Sequence, residues 1–235
     1  MRSYNTKRRS RGDVIPYYDV AVLGETACGK SSIIEQLVNG SFTQTYTPTA
    51  AEVHMKTIRV DGRAIACLQL FDTAGGFEFP MVLKLTIKRC QAFIVTYSVG
   101  SIRSLKIAKQ QLNLINEIKG RLTPCLLVGN KRDLDYTQER EVSFDMGLQT
   151  AVAHECAFIE CSSKINFYVE EVFISMVRKI EHVANVKHQI YLEDLAKRSD
   201  KKERRRSSIT SIRSFFVNLS NSFDKDNSDL SDYES

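Results

Sequence analysis

Residues 24–31 read Gly-Glu-Thr-Ala-Cys-Gly-Lys-Ser. They join the apolar run Asp19-Val20-Ala21-Val22-Leu23 to the helix-like Ser32-Ile33-Ile34-Glu35-Gln36-Leu37. A G-x-x-x-x-G-K-S turn between a strand and a helix constrains the chain more than any other feature of it. Glycines let the backbone wrap closely around phosphates, so that consecutive N–H groups point inward. The helix N-terminus adds favourable partial charge. The loop residues expected to line such a site are Gly24, Glu25, Thr26, Ala27, Cys28, Gly29, Lys30, Ser31 and Ser32. Lys30 would reach the β- and γ-phosphates, and the Ser31 hydroxyl would ligate Mg²⁺.

Three further motifs follow apolar runs. Asp72-Thr73-Ala74-Gly75 ends Cys67-Leu68-Gln69-Leu70-Phe71. An acid at that strand end can hold Mg²⁺ through water, because Mg²⁺ keeps several of its waters. Gly75 can turn its N–H toward a γ-phosphate. Asn130-Lys131-Arg132-Asp133 follows Cys125-Leu126-Leu127-Val128-Gly129. Guanine presents two adjacent donors to a carboxylate such as Asp133 and adenine does not, so the wrong base leaves buried groups unpaired. Asn130 can donate to the purine N7, and the stem of Lys131 can lie over the base. Cys161-Ser162-Ser163-Lys164, after Ala157-Phe158-Ile159-Glu160, can supply a backbone N–H to guanine O6. Asn130, Lys131 and Asp133 together argue against an adenine-nucleotide kinase built on the same loop.

On these residues the chain resembles a small GTPase of the Ras superfamily, Ras subfamily, over roughly residues 17 to 186. Phe79-Pro80, Leu83-Lys84-Leu85-Thr86-Ile87 and Cys90-Gln91-Ala92-Phe93-Ile94-Val95-Thr96-Tyr97-Ser98 are similar to the Di-Ras branch, while Ala27-Cys28-Gly29-Lys30 also occurs in Rho-type loops. The resemblance implies GTP and GDP as ligands, Mg²⁺ as the metal and GTP hydrolysis as the activity. It implies that Tyr46-Thr47-Pro48-Thr49 is switch I, with Thr49 ligating Mg²⁺ alongside Ser31 and Asp72. Phe42 would stack on the guanine. Thr49 to Glu52, with switch II, would form the surface for effector proteins, and exchange factors would act on a monomer. No nucleic-acid partner is expected.

Two positions depart from the family, and both bear on hydrolysis. Gly76 stands where most members carry a glutamine that orients the attacking water. Thr26, a stiff β-branched residue, stands where most Ras-subfamily members carry glycine. With Lys30, these are the residues assigned to catalysis. Slow turnover biased toward GTP is expected. Glu78 replacing the glutamine is the alternative, and a GTP-loaded interaction module with negligible hydrolysis is the competing function.

Alternating strand and helix patterns predict a doubly wound α/β G domain with helices on both faces of a six-stranded, mostly parallel sheet. Strands are expected near 17–24, 51–60, 63–72, 92–98, 124–130 and 157–161, with Asp61-Gly62 turning one antiparallel hairpin. Helices are expected near 30–38, 78–88, 102–119, 144–155 and 167–186, the last continuing to about Arg198. Residues 1–16 read as a basic disordered arm, 17–186 as the G domain and 187–235 as an extension. The six cysteines form no C-x-x-C pair and read as small buried hydrophobes in a reducing cytosol. Cys28 has a second reading, as a thiol acidified by a helix N-terminus. The four histidines form no metal motif.

The extension carries a basic cluster within 197–213 and an acidic tail over 224–235. Ile209, Ile212, Phe215, Phe216, Leu219 and Phe223 follow the cluster at mostly helical spacing. No apolar run approaches the ~20 residues of a spanning helix. The start lacks a signal-peptide core and, with Arg2, the N-myristoylation pattern, and the end lacks a prenylation box. The expected location is the cytoplasm, with peripheral contact at the inner face of the plasma membrane through residues 197–223. A solvated tail and a nuclear address are the other readings of the same cluster.

Overall fold

The computed structural model describes residues 15–44, 52–62, 64–73, 75 and 80–228. Thr49 with the rest of the switch I motif, Ala74, Gly76, Glu78 and the arm over 1–14 lie outside the described residues. The strands are β1 (Tyr17–Gly24), β2 (Glu52–Val60), β3 (Ala64–Asp72), β4 (Ala92–Ser98), β5 (Cys125–Asn130) and β6 (Ala157–Glu160). The helices are α1 (Lys30–Asn39), α2 (Pro80–Arg89), α3 (Ile102–Lys119), α4 (Phe144–Ala153) and α5 (Val169–Ser228). A 3₁₀ helix, Arg132–Thr137, was not predicted from the sequence.

The six strands form one sheet in the order β2-β3-β1-β4-β5-β6. The β2–β3 pair is antiparallel and the other four pairs are parallel. The β2–β3 turn takes φ 50° at Asp61 and 70° at Gly62, the left-handed pair that an Asp-Gly hairpin supplies. Successive residues of a strand point to opposite faces, so a strand covered on both sides must be apolar throughout. In β1, Val20 and Val22 pack on one face with Ile33 and Ile34 of α1 and Phe173, Met176 and Val177 of α5. Ala21 and Leu23 pack on the other with Leu83 and Ile87 of α2 and Leu105, Leu112 and Ile115 of α3. Each such large side chain contributes about 1.5–3 kcal/mol by leaving water. Two separate cores clamp the sheet, which fixes its strand ends as a platform for the loops.

The chain divides into two units, Met1–Ala184 and Asn185–Ser235. In the first, α5 completes one core through Val169, Val172 and Phe173. In the second, the helix runs past Arg198, where the sequence reading stopped it, and ends at Ser228. Nothing between those positions breaks it, because the stretch contains neither proline nor glycine. Its residues Ile190, Tyr191, Leu192 and Leu195 are exposed. Among the described residues, no helix is long and apolar enough to cross a membrane.

Candidate functional site

The phosphate loop leaves β1 at Gly24 and enters α1 at Lys30. Helices α3 and α4 begin at serine caps, where Ser101 accepts from the Ser104 N–H at 3.2 Å and Ser143 from the Met146 N–H at 3.2 Å. Helix α1 begins instead at Gly29, at φ 96°, a residue with no side chain to cap it. A glycine at that position brings no polar side chain to compete for the helix start, which suits an anion site there. A side chain at position 29 would meet Asn130, since a Cβ there would stand 2.2 Å from Asn130 Nδ2. Lys30 is buried in the loop, and its Nζ donates to the Glu25 carbonyl at 2.9 Å.

The base-reading motif closes on this loop from β5. Asn130 is fully buried; its Nδ2 donates to the Cys28 carbonyl at 3.0 Å and lies 3.4 Å from the Ser163 hydroxyl. Its Oδ1 accepts from the Ser163 N–H at 3.1 Å, so one backbone donor of the Cys161–Lys164 motif is engaged with Asn130 in this structure. The Ser162 hydroxyl donates to Asp133 Oδ1 at 2.6 Å, and Lys164 Nζ stands 3.8 Å from Asp133 Oδ2. Each carboxylate oxygen accepts more than one bond, so Asp133 keeps acceptor capacity for a ligand. Lys131 sits in the left-handed region at φ 65°, which turns the chain from β5 into the 3₁₀ helix carrying Asp133. Phe42, just beyond α1, is half-buried.

A second layer holds the base loop in place, and the sequence reading had missed it. Glu160, at the end of β6, accepts from both Arg140 amino groups, at 2.9 and 2.8 Å. Arg140 also pairs with Asp135 of the 3₁₀ helix and donates to the Val142 carbonyl at 2.7 Å. These two acids push the guanidinium pKa upward, Glu160 by hydrogen bonding first. Arg132 lies over the Phe167 ring, 4.6 Å from its centroid. Only the charge-rich spacing of Arg132, Asp135 and Arg140 hinted at this network.

Asp72 ends β3 almost fully buried, and its Oδ1 has no hydrogen-bond partner. Burial raises its carboxyl pKa, against a hydrogen bond with Ser31 and the charge of Lys30. A buried carboxylate beside a serine hydroxyl is an oxygen donor set suited to Mg²⁺. Gly75 lies hard against the phosphate loop, for a Cβ there would stand 2.4 Å from Thr26 Cα and 2.5 Å from its hydroxyl. Cys28 is buried and its thiol pKa is raised, by burial first, although Lys30 and Lys131 act in the opposite direction. The acidified-thiol reading is thus corrected: packing places Cys28 behind the loop. All six cysteines are free. Among the described residues, no group of three or more histidines, cysteines and acids could hold a metal.

The Asp72 pKa gives a signed prediction. The folded chain binds this proton more tightly than the unfolded chain, so the ionised form lowers stability as pH rises above the ordinary carboxylate value. Asp72→Asn removes that cost, since an amide carries no charge to desolvate. The nucleotide-free protein in EDTA should then melt higher than the parent at pH 7, and the gain should vanish as the pH falls below the ordinary carboxylate range. Unchanged melting at pH 7 would show that the carboxylate is compensated.

A mostly parallel sheet with a glycine-lysine-serine loop at the carboxyl end of β1 defines a P-loop G domain. The Ras family model matches residues 19–182. The GTP-binding protein drn-1 of Caenorhabditis elegans is 38% identical over 159 residues, 66% of this chain and 72% of the relative. The GTP-binding protein Di-Ras2 of Pongo abelii is 39% identical over 158 residues, 66% of this chain and 78% of the relative. The GTP-binding protein Di-Ras1 of Mus musculus is 35% identical over 189 residues, 80% of this chain and 91% of the relative. The chain belongs to the Ras family of small GTPases.

Proposed function

We propose that this protein is a guanine-nucleotide switch that binds GTP and GDP and hydrolyses GTP slowly. The observation that carries this reading is the Asn130 amide. It bonds the base-reading loop to the Cys28 carbonyl of the phosphate loop, 102 positions away in sequence. One side chain thereby couples recognition of the base to the shape of the phosphate cradle. Ser31, Asp72 through water, and Thr49 would hold Mg²⁺, which when bound neutralises phosphate charge. Lys30 supplies a fixed cation, and the main-chain N–H groups at the start of α1 supply donors that need no reorganisation. Asp133 selects guanine. Thr26 and Gly75 close one wall of the γ-phosphate corner, and Gly76 has no side chain to orient water. Effectors and exchange factors would engage the switch segments.

The test of bound state is direct. Purified protein is denatured and its released nucleotide resolved by chromatography. GTP in excess of GDP supports slow turnover, whereas GDP alone argues for ordinary hydrolysis. An empty extract from correctly folded protein would reject the switch reading.

The extension supports a second component, peripheral attachment to anionic membrane from the cytoplasmic side. From Lys197 to Arg213 there are eight basic residues (197, 198, 201, 202, 204, 205, 206, 213) against Asp200 and Glu203. Helix α5 carries this stretch unbroken to Ser228, so positions 209, 212, 216, 219 and 223, spaced by three and four, share one face. Basic residues near an anionic leaflet contribute about 1 kcal/mol each. The full chain should sediment with anionic vesicles at low salt and much less at high salt, and a chain ending at Asp194 should not sediment. Equal sedimentation of the two chains, or indifference to lipid charge, would sink the attachment and favour a soluble cytosolic or nuclear protein.

A further inference from the structure

We propose that Arg103 is a positioning residue of the nucleotide site, acting through Glu25. The inference rests on the reading that the 24–31 loop holds GTP or GDP. Glu25 places a carboxylate in a loop whose other features all favour anions. That charge opposes a polyphosphate unless it is neutralised. Arg103, the second residue of α3, supplies the counter-charge, with its Nε 2.8 Å from Glu25 Oε1. The Glu25 side chain is 14% exposed and that of Arg103 82%, so solvent screens the pair from the arginine side while the carboxylate end is shielded.

Helix physics does not account for Arg103. A cation in the first turn of a helix faces the partial positive charge of its N-terminus, which is unfavourable. The start of α3 is already secured without it, by the Ser101 cap and by Glu141, whose carboxylate accepts from the Ile102 N–H at 2.9 Å. Glu25 is held from two sides: its carbonyl accepts from Lys30 Nζ at 2.9 Å, and its carboxylate pairs with Arg103. The two cations sort the residue. Lys30 bonds the main-chain carbonyl and is left clear of the carboxylate, and Arg103 draws the side-chain charge toward α3. Loss of Arg103 leaves a partly buried carboxylate free to compete for Lys30 and to repel phosphate.

The test is a double-mutant cycle on the full chain, read as release of a fluorescent GDP analogue at low and high salt. Arg103→Ala should release it about five- to tenfold faster at low salt, as expected for an unbalanced charge in partly screened surroundings. The excess should shrink at high salt. Arg103→Lys should recover part of the loss. Glu25→Gln combined with Arg103→Ala should release more slowly than Arg103→Ala alone, because the charge that Arg103 balanced is gone. A merely structural loss at α3 would not be repaired that way. Arg103→Ala within twofold of the parent, or a double variant as fast as Arg103→Ala, would overturn the proposal while leaving the nucleotide reading intact. Failure of the parent chain itself to bind the analogue would overturn both. A thermal melt of each variant separates these outcomes from unfolding.

Discussion

Asp133→Asn is expected to move base preference from guanine to xanthine. The carboxylate accepts from two adjacent donors of guanine; an amide accepts with one atom and donates with the other, which suits the xanthine edge. A site built around hydrogen bonds rejects a base lacking the matching groups by as much as ~10⁴-fold. The structure bears on how cleanly the exchange will read. Asp133 Oδ1 accepts from the Ser162 hydroxyl at 2.6 Å, and an asparagine oxygen can keep that bond. The Lys164 contact at 3.8 Å loses its charge partner. The prediction is therefore a loss of GTP affinity of two orders of magnitude or more, with XTP competing better than GTP. Competition binding with the two triphosphates measures it. Unchanged preference for GTP would mean that Asp133 does not read the base.

Hydrolysis is expected to accelerate when the two departures from the family pattern are reversed together. Gly76→Gln supplies a side chain able to orient water, and Thr26→Gly clears the wall against which Gly75 packs. A positioned water that lowers the barrier by ~1.4 kcal/mol gives a tenfold gain, and at least that is expected in single turnover. The pair should be changed together because the close approach of Gly75 to Thr26 couples the two segments. A rate equal to or below that of the parent would show that another group orients the water, with Glu78 the first to change next.

Much of the fold is legible in the sequence because its signals are local. Each predicted strand has its counterpart within one residue at either end, from β1 to β6. The central runs β4 and β5 are buried along their whole length, and the Asp61-Gly62 turn fixes the one antiparallel pair. The 3₁₀ helix escaped because six residues with Lys131 in a left-handed conformation carry no periodicity to detect. The end of α5 escaped because the charged stretch 197–206 holds no apolar residue to carry a helical period past Arg198, and helix propensity alone is a weak guide.

The sequence by itself determined which groups stand at each loop: a glycine-lysine-serine turn at 24–31, an acid at Asp72, and Asn130 with Asp133, the expected guanine reader. Residue type and spacing specify what such groups can bind. Only the tertiary structure decided how those loops act on one another. Asn130 meets Cys28 across 102 positions, Arg140 meets Glu160 across 20, and Arg103 of α3 meets Glu25 of the phosphate loop. It also decided that Cys28 faces the core, where the loss of water outweighs the nearby cations and raises its pKa. The reason is the same throughout. A local pattern sets which conformations a segment prefers, but partners, burial and local dielectric are set by the closing of the sheet between its two cores.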